Sequence, residues 1–244
     1  MPRMALRSII QRLTELCSDT LLAPACVLCG VEAAGAHLCA DCAGLLERND
    51  SACARCAEPL PIAAPLCGKC LQRPPAFDAA WAGYLYRAPF DHMVQRLKFN
   101  NALAAGRALL PDWSAALRAH LSTREAPSAQ ALIPIPLHRS RLRQRGYNQA
   151  LELARDLGRE LALPVLPAAL ERVRATAPMP GLDLTTRRRN VRGAFALAAQ
   201  AVFPNRVALV DDVMTSGATL NEAAKVLKRA GVDWVEVWVL SRKP

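Results

Sequence analysis

The stretch VALVDDVMTSGAT, residues 207–219, carries more structural information than any other in the chain. Four apolar, strand-forming residues are followed by two aspartates, then by hydroxyls and a glycine. A helical pattern comes next, which predicts a helix from about Thr219 to Ala230 ended in C-cap fashion by Gly231. A buried strand feeding a helix is the first half of a βαβ unit, and VEVWVL at 235–240 supplies the second strand. Open sheets of this kind bind ligands beyond the carboxyl ends of their strands. At that place Thr215, Ser216, Gly217, Ala218 and Thr219 can present consecutive backbone N–H groups and hydroxyls at a helix N-terminus, which suits a phosphate dianion. Asp211 and Asp212 would repel that phosphate. They suit the hydroxyls of an adjoining ribose, or Mg²⁺ held near them. No GxxxxGK[ST] occurs and no GxGxxG follows a strand, so neither a Walker loop nor a dinucleotide fold is expected.

Upstream, AAWAGYLYR (79–87) reads as a strand, and residues 90–113 as one or two helices interrupted near Asn100 and Asn101. ALIPIPL (131–137) reads as a buried strand ending in prolines. NQALELARDLGRELALP (148–164) reads as a helix with Leu151, Ala154, Leu157 and Leu161 on one face and Asn148 as N-cap. Strands alternating with helices predict an α/β domain with a mainly parallel sheet, here assigned to residues 76–244. A short amphipathic helix is expected at about 4–17, with Leu6, Ile9, Leu13 and Leu16 at helical intervals.

The chain has 244 residues, 52% apolar and 21% charged, which excludes wholesale disorder. No stretch without a formal charge exceeds thirteen residues, short of the ~18 to 20 that a spanning helix needs. No membrane span is expected, and the first residues lack the block pattern of a signal peptide, so the expected compartment is the cytoplasm. The net charge of +10 implies an anionic partner. Residues 1–75 carry seven basic and seven acidic side chains, whereas His138 to Arg192 hold twelve arginines, no lysine and five acids. The anion site is therefore expected in that later stretch.

All nine cysteines fall in the first 70 residues, and eight of them form four CxxC pairs: Cys26/Cys29, Cys39/Cys42, Cys53/Cys56 and Cys67/Cys70. Two such pairs complete a tetrahedral thiolate site, so the spacing predicts two structural zinc sites in an N-terminal module of residues 1–75. Pairing can be sequential or interleaved, and the sequential order is favoured. Cys17 is left over as a buried filler, His37 is a weaker candidate than the thiolates, and His92, His120 and His138 share no ligand spacing, so no catalytic zinc is expected. With few large apolar residues, such a module needs metal in place of a core. Each four-thiolate zinc site has a formal charge of −2, which argues against the module as an electrostatic clamp on nucleic acid.

The motif at 207–219 resembles the binding motif for phosphoribosyl pyrophosphate (PRPP) of type I phosphoribosyltransferases. Nearly end to end, the chain resembles the ComF family, which includes ComFC and GntX-like proteins. The likeness runs through the paired ribbons, the CxxC-LQRPPAFD junction (67–78), LKF (97–99), IPIPLHRSRLRQRGYNQA (133–150), RRRNVRGAF (187–195) and the motif itself. It implies a type I phosphoribosyltransferase fold with an N-terminal double zinc ribbon. Asp211 and Asp212 would serve the ribose hydroxyls and 215–219 the 5-phosphate. A second loop, Pro136 to Asn148, would receive pyrophosphate through Arg139, Arg141 and Arg145. A hood, Arg172 to Gly193, would close over the substrate with Arg187, Arg188 and Asn190 near its end. Two positions depart from the family pattern: Met179, usually glutamine, and Met214, usually threonine. Implied partners are a ribose phosphate with Mg²⁺, and DNA-uptake proteins. The competing reading is a non-catalytic single-strand binder, although only Tyr147 and, at its edge, Phe195 offer stacking surfaces in the basic stretch.

Overall fold

The structure is a computed structural model that describes residues 25–33, 37–99, 103–125, 128–176 and 184–244. In chain order its elements are α1 (Ala40–Gly44), α2 (Gly68–Gln72), β1 (Ala79–Leu85), α3 (Phe90–Phe99), α4 (Leu103–Ser122), β2 (Ala131–Pro134), α5 (Arg139–Arg145), α6 (Gln149–Leu161), β3 (Leu170–Arg172), α7 (Leu184–Val191), β4 (Phe195–Leu197), β5 (Arg206–Met214), α8 (Ala218–Arg229) and β6 (Trp234–Arg242). Four strands form a parallel sheet in the order β1, β6, β5, β2, with Val207 opposite Val235, Ile133 opposite Leu209 and Trp81 opposite Trp238. Antiparallel β3 and β4 stand apart as a two-stranded ribbon.

Because side chains alternate across a strand, β5 divides the core in two. Val207 and Leu209 pack with Ile133, Val237 and Val239 against Leu220, Ala223, Ala224 and Leu227 of α8. Ala208 and Val210 pack on the other face with Leu132, Trp238 and Leu240 against Trp113 and Leu117 of α4 and Leu153, Ala154 and Leu157 of α6. Both faces of the sheet are thus covered, which explains strands that read as unbroken apolar runs. The helix after β2 leaves to one face and the helix after β5 to the other. The gap between these two neighbouring strands is a topological switch point, where such sheets open a crevice at their carboxyl edge.

Both edges of the sheet are closed. Backbone from Glu47 to Asn49 pairs with β1 (Leu85 N to Glu47 O, 2.9 Å; Asn49 N to Gly83 O, 3.2 Å), and Pro164 to Leu166 pairs with β2 through Leu132. Unpaired edges invite aggregation, and here the cysteine-rich module supplies one of the covers.

The fold class agrees with the sequence reading, with three differences of detail. β5 runs on to Met214, so both aspartates are strand residues, because parallel pairing with β6 continues through Val213 opposite Ser241. The stretch after β2, expected as a loop, contains the seven-residue helix α5, which His138 caps and Gly146, at φ 78°, ends. The buried face of α6 is Leu153, Ala154 and Leu157, with Leu151 only half-buried, since the helix meets both β5 and α4. The helix expected at 4–17, Cys17 and the interruption at Asn100 and Asn101 lie outside the described residues. Among the described residues no helix is long and apolar enough to cross a membrane.

Gly83 lies where α4 crosses β1. A Cβ there would stand 2.6 Å from Cδ1 of Trp113, a fully buried ring whose Nε1 donates to Val239 O at 3.2 Å. Gly83→Ala is therefore expected to cost about 1–3 kcal/mol, read as a lower urea midpoint with an unchanged slope; an unchanged midpoint would contradict this packing.

Candidate functional site

The eight cysteines gather sequentially. The sulfurs of Cys26, Cys29, Cys39 and Cys42 lie within 4.8 Å of one another, as do those of Cys53, Cys56, Cys67 and Cys70. Sulfurs 2.3 Å from a tetrahedral zinc stand roughly 3.8 Å apart, and Cys29–Cys39 and Cys56–Cys67 are at 3.7 and 3.6 Å. None of these eight is in a disulfide. The donor set fits two structural zinc ions. Each half is the same device twice. A knuckle turn places the residue four beyond the first cysteine in a left-handed conformation (Gly30 at φ 77°, Ala57 at φ 52°). The third cysteine then caps a five-residue helix whose first turn holds the fourth. Burial would raise the Cys26 thiol, but the amides of Cys29, Cys39 and Leu28 outweigh it and bring it down to about 6. In the second cluster burial pushes Cys56 up to about 12, with Cys53 adding to the rise. Thiols this crowded ionise together only around a cation.

The module packs against the sheet. Ala57 belongs to the core on the α8 side, and Leu46, Val27, Leu28 and Leu38 pack into the core on the α4 side.

At the carboxyl edge the switch-point crevice collects the predicted anion residues from both strands. β5 ends at Met214, and Gly217, at φ 69°, opens α8 three residues later. Among the described residues, the amides of Thr215, Ser216, Gly217, Ala218 and Thr219 donate no hydrogen bond, the usual state of a helix N-terminus that awaits an acceptor. Met214 is buried, with its sulfur 3.4 Å from where a Gly217 Cβ would sit. Its departure from the family's threonine therefore falls in the core and not among those amides.

The two aspartates are not equivalent. Their neighbours differ. Asp211 acts on Arg172, whose guanidinium lies over the Phe195 ring at 5.4 Å. Burial holds that guanidinium below the usual arginine range, Arg141 adding to the effect and Asp211 opposing it. Asp212, at 9% exposure the more buried of the two, acts on Tyr147. Burial pushes that phenol up, Asp212 adds to the rise and Arg145 opposes it. Each carboxylate also caps the amide that follows it, Asp211 Oδ1 accepting from Asp212 N at 2.9 Å and Asp212 Oδ1 from Val213 N at 2.8 Å.

Across the crevice, Ile135 N extends the β2 ladder to Val210 O, and Asn148 Nδ2 donates back to Ile135 O at 3.0 Å, clamping the two ends of the arginine segment together. Within it Arg145 donates to Gln149 Oε1 at 2.9 Å, Arg141 is half-buried toward Arg172, and Arg139 is exposed. Arg141 and Asp211 thus share Arg172 as a neighbour, and Arg145 and Asp212 share Tyr147, whereas Arg139 is exposed. Arg187 and Arg188 lie in α7, their side chains outside what is described, as is Met179. Asn190 follows them in α7, and its carbonyl accepts from Arg174 at 2.9 Å. Gly193 N donates to Glu222 Oε1, tying the far end of the hood segment to α8.

Arg172 is the residue that sequence reading did not single out. It opened the hood segment there, with no sign that a short antiparallel ribbon would aim it at Asp211.

A cavity of about 820 Å³ lies between the second ribbon and α8. It is lined by Glu58, Arg73, Phe77, Asn221 and Arg242 together with Thr215 to Ala218, but not by either aspartate or any α5 arginine.

Comparison with known proteins agrees with this arrangement. Residues 17–71 match the double zinc ribbon domain. The chain is 40% identical over 192 residues to Competence protein F of Haemophilus influenzae, covering 78% of this chain and 84% of that protein. It is 34% identical over 223 residues to DNA utilization protein YhgH of Salmonella typhi, covering 89% and 96%. It is 26% identical over 212 residues to Competence protein ComFC of Streptococcus pneumoniae, covering 84% and 87%. The chain belongs to the ComF family of competence and DNA-utilization proteins.

Metal analysis of the purified protein is expected to give two zinc ions per chain, falling to one in Cys29→Ser. Serine at Cys53, which is fully buried beside the sheet core, should lower the thermal midpoint more than serine at the exposed Cys29. Equal effects would mean the two sites contribute alike.

Proposed function

We propose that this protein binds PRPP or a related ribose phosphate together with Mg²⁺ in the crevice between β2 and β5, and that it acts in the uptake or use of DNA. The observation that carries the first part is the meeting, at one switch point, of five uncommitted amides, two carboxylates of different surroundings and a set of arginines. The second part rests on relatives named for competence and DNA utilization. We assign residues 1–75 to the ribbons and 76–244 to the ligand domain, and the reduced thiols suit the cytoplasm.

In this reading the amides of 215–219 hold the 5-phosphate and the hydroxyls of Thr215, Ser216 and Thr219 add further donors. Asp211 and Asp212 accept from the two ribose hydroxyls. Arg139, Arg141 and Arg145, joined by Arg172 and by Arg187 and Arg188 of the hood, receive pyrophosphate. Guanidinium forks match phosphate oxygens in pairs, which a lysine cannot do. Mg²⁺ would sit with Asp211 or Asp212 and the pyrophosphate, adding positive charge where negative charge collects. In turnover the bond from the anomeric carbon to pyrophosphate breaks as a bond to an acceptor forms. Arginines already fixed in place stabilise the charge on the departing group without reorganising. Among the described residues no side chain is assigned as a general base; a proton released by the acceptor would pass to the departing pyrophosphate or to solvent.

The exposed arginines of α5 favour a second reading, single-strand binding without turnover. Titration calorimetry with PRPP and Mg²⁺ separates the two. Wild type should bind, and Asp211→Asn/Asp212→Asn should bind at least tenfold more weakly, since a hydrogen bond to a charged group is worth ~1.5 kcal/mol or more. Equal heats for both proteins, with salt-dependent binding of single strands retained, would replace the ribose-phosphate reading with the second.

A further inference from the structure

Arg242 is the last residue of β6, and its side chain is almost wholly buried. On one side its guanidinium donates to the carbonyls of Met214 (3.2 Å), Thr215 and Lys243. On the other, Nε donates to the carbonyl of Cys56 at 3.3 Å and the fork pairs with Glu58, which also holds Lys69 at 3.0 Å. Met214 and Thr215 are where the chain leaves β5 for the phosphate loop. Cys56 is one of the four sulfur ligands of the second ribbon, and Glu58 lies two residues beyond it. A single side chain therefore connects the metal knuckle to the loop.

The connection has a directional consequence. In a planar trans peptide the C=O and the following N–H point to opposite sides. Carbonyls of Met214 and Thr215 held on Arg242 turn the amides of Thr215 and Ser216 away from it, and these are the first two of the five uncommitted donors. A charged fork holds two carbonyls more firmly than a neutral donor would. Four carbonyl oxygens and a carboxylate converge on this one cation, so without it they would repel one another and the loop would lose its aim. Among the described residues, the first ribbon makes no comparable tie. Its Val27, Leu28 and Leu38 pack into the core on the α4 face, opposite to the face that α8 covers.

We propose that Arg242 is a positioning residue through which the second zinc ribbon sets the aim of the phosphate loop. Metal occupancy of Cys53, Cys56, Cys67 and Cys70 then governs affinity for a ribose phosphate, whereas occupancy of Cys26, Cys29, Cys39 and Cys42 does not. The affinity part rests on the reading of 215–219 as the sugar-phosphate cradle; the coupling of ribbon to loop does not.

The test pairs hydrogen exchange at the Lys243 and Asn221 amides, which donate to the loop carbonyls of Met214 (3.0 Å) and Gly217 (2.8 Å), with calorimetric titration of ribose 5-phosphate, on full-length zinc-loaded wild type, Arg242→Gln, Arg242→Lys, Cys67→Ser and Cys39→Ser. Exchange at those two amides should rise about tenfold, and ribose 5-phosphate should bind about tenfold more weakly, in Arg242→Gln and Cys67→Ser but not in Cys39→Ser. Arg242→Lys, which keeps the charge without the fork, should recover part of both. Glu58→Gln leaves all eight thiolates and Arg242 in place and should shift both readouts the same way by a smaller factor, which serves if Cys67→Ser does not fold. Unchanged exchange in Arg242→Gln, or an equal change in Cys39→Ser, overturns the proposal. Failure of wild type to bind ribose 5-phosphate would remove the ligand reading alone, and the exchange comparison would still decide whether the ribbon is coupled to the loop.

Discussion

Three residues separate the end of a buried parallel strand from the start of a helix running back along the sheet. Met214 still pairs opposite Arg242, and Gly217 is already the cap of α8. A reversal this tight leaves no chain with which to satisfy the amides at the helix start, and the left-handed glycine is the conformational condition for making it. The unpaired donors and their place at the sheet's carboxyl edge both follow from that one turn. The neighbouring strand then determines what they face. β2 is adjacent to β5, and α6 and α8 cover opposite faces of the sheet, so the segments after the two strands lie at the same carboxyl edge.

The metal-binding module solves a different problem and then joins the first. Its small side chains cannot build a core, so thiolate clusters hold it together. Once folded, its backbone at Glu47 to Asn49 covers the exposed edge of β1, and Ala57 and Leu46 enter the two halves of the sheet's core. A module that contributes to both core faces and reaches the ligand loop through Arg242 is part of the architecture of the site. This accounts for two very different sequence segments persisting in one chain: one supplies the crevice, and the other braces the strand and loop that define it.

Much of this was legible before any coordinates. The eight cysteines specify two four-thiolate sites through spacing, because two residues between thiols leave few ways to point both at one ion, whereas the sequential joining of the pairs is settled only by the fold. The strand-loop-helix at 207–219 declares itself by an abrupt change from β-branched residues to hydroxyls and glycine. What stayed hidden depends on contacts distant in sequence. The different neighbours of Asp211 and Asp212, Arg172 for one and Tyr147 for the other, become visible only in the folded chain. Arg172 becomes a crevice residue only when β3 and β4 pair and lay it over Phe195. Arg242 looks like an ordinary basic residue near the end of the chain, and its partners at 56, 58, 214 and 215 come together only in the folded sheet. The rotated face of α6 has the same origin, since a helix that contacts two elements buries a wider stripe than periodicity alone assigns.

A crystal of the zinc-loaded protein soaked with ribose 5-phosphate tests the central claim most directly. The account predicts the phosphate within hydrogen-bonding distance, about 2.7–3.2 Å, of the amides from Ser216 to Thr219, with the sugar hydroxyls toward Asp211 and Asp212. Density for the sugar phosphate in the 820 Å³ cavity beside the second ribbon, with those amides left bare, would contradict it.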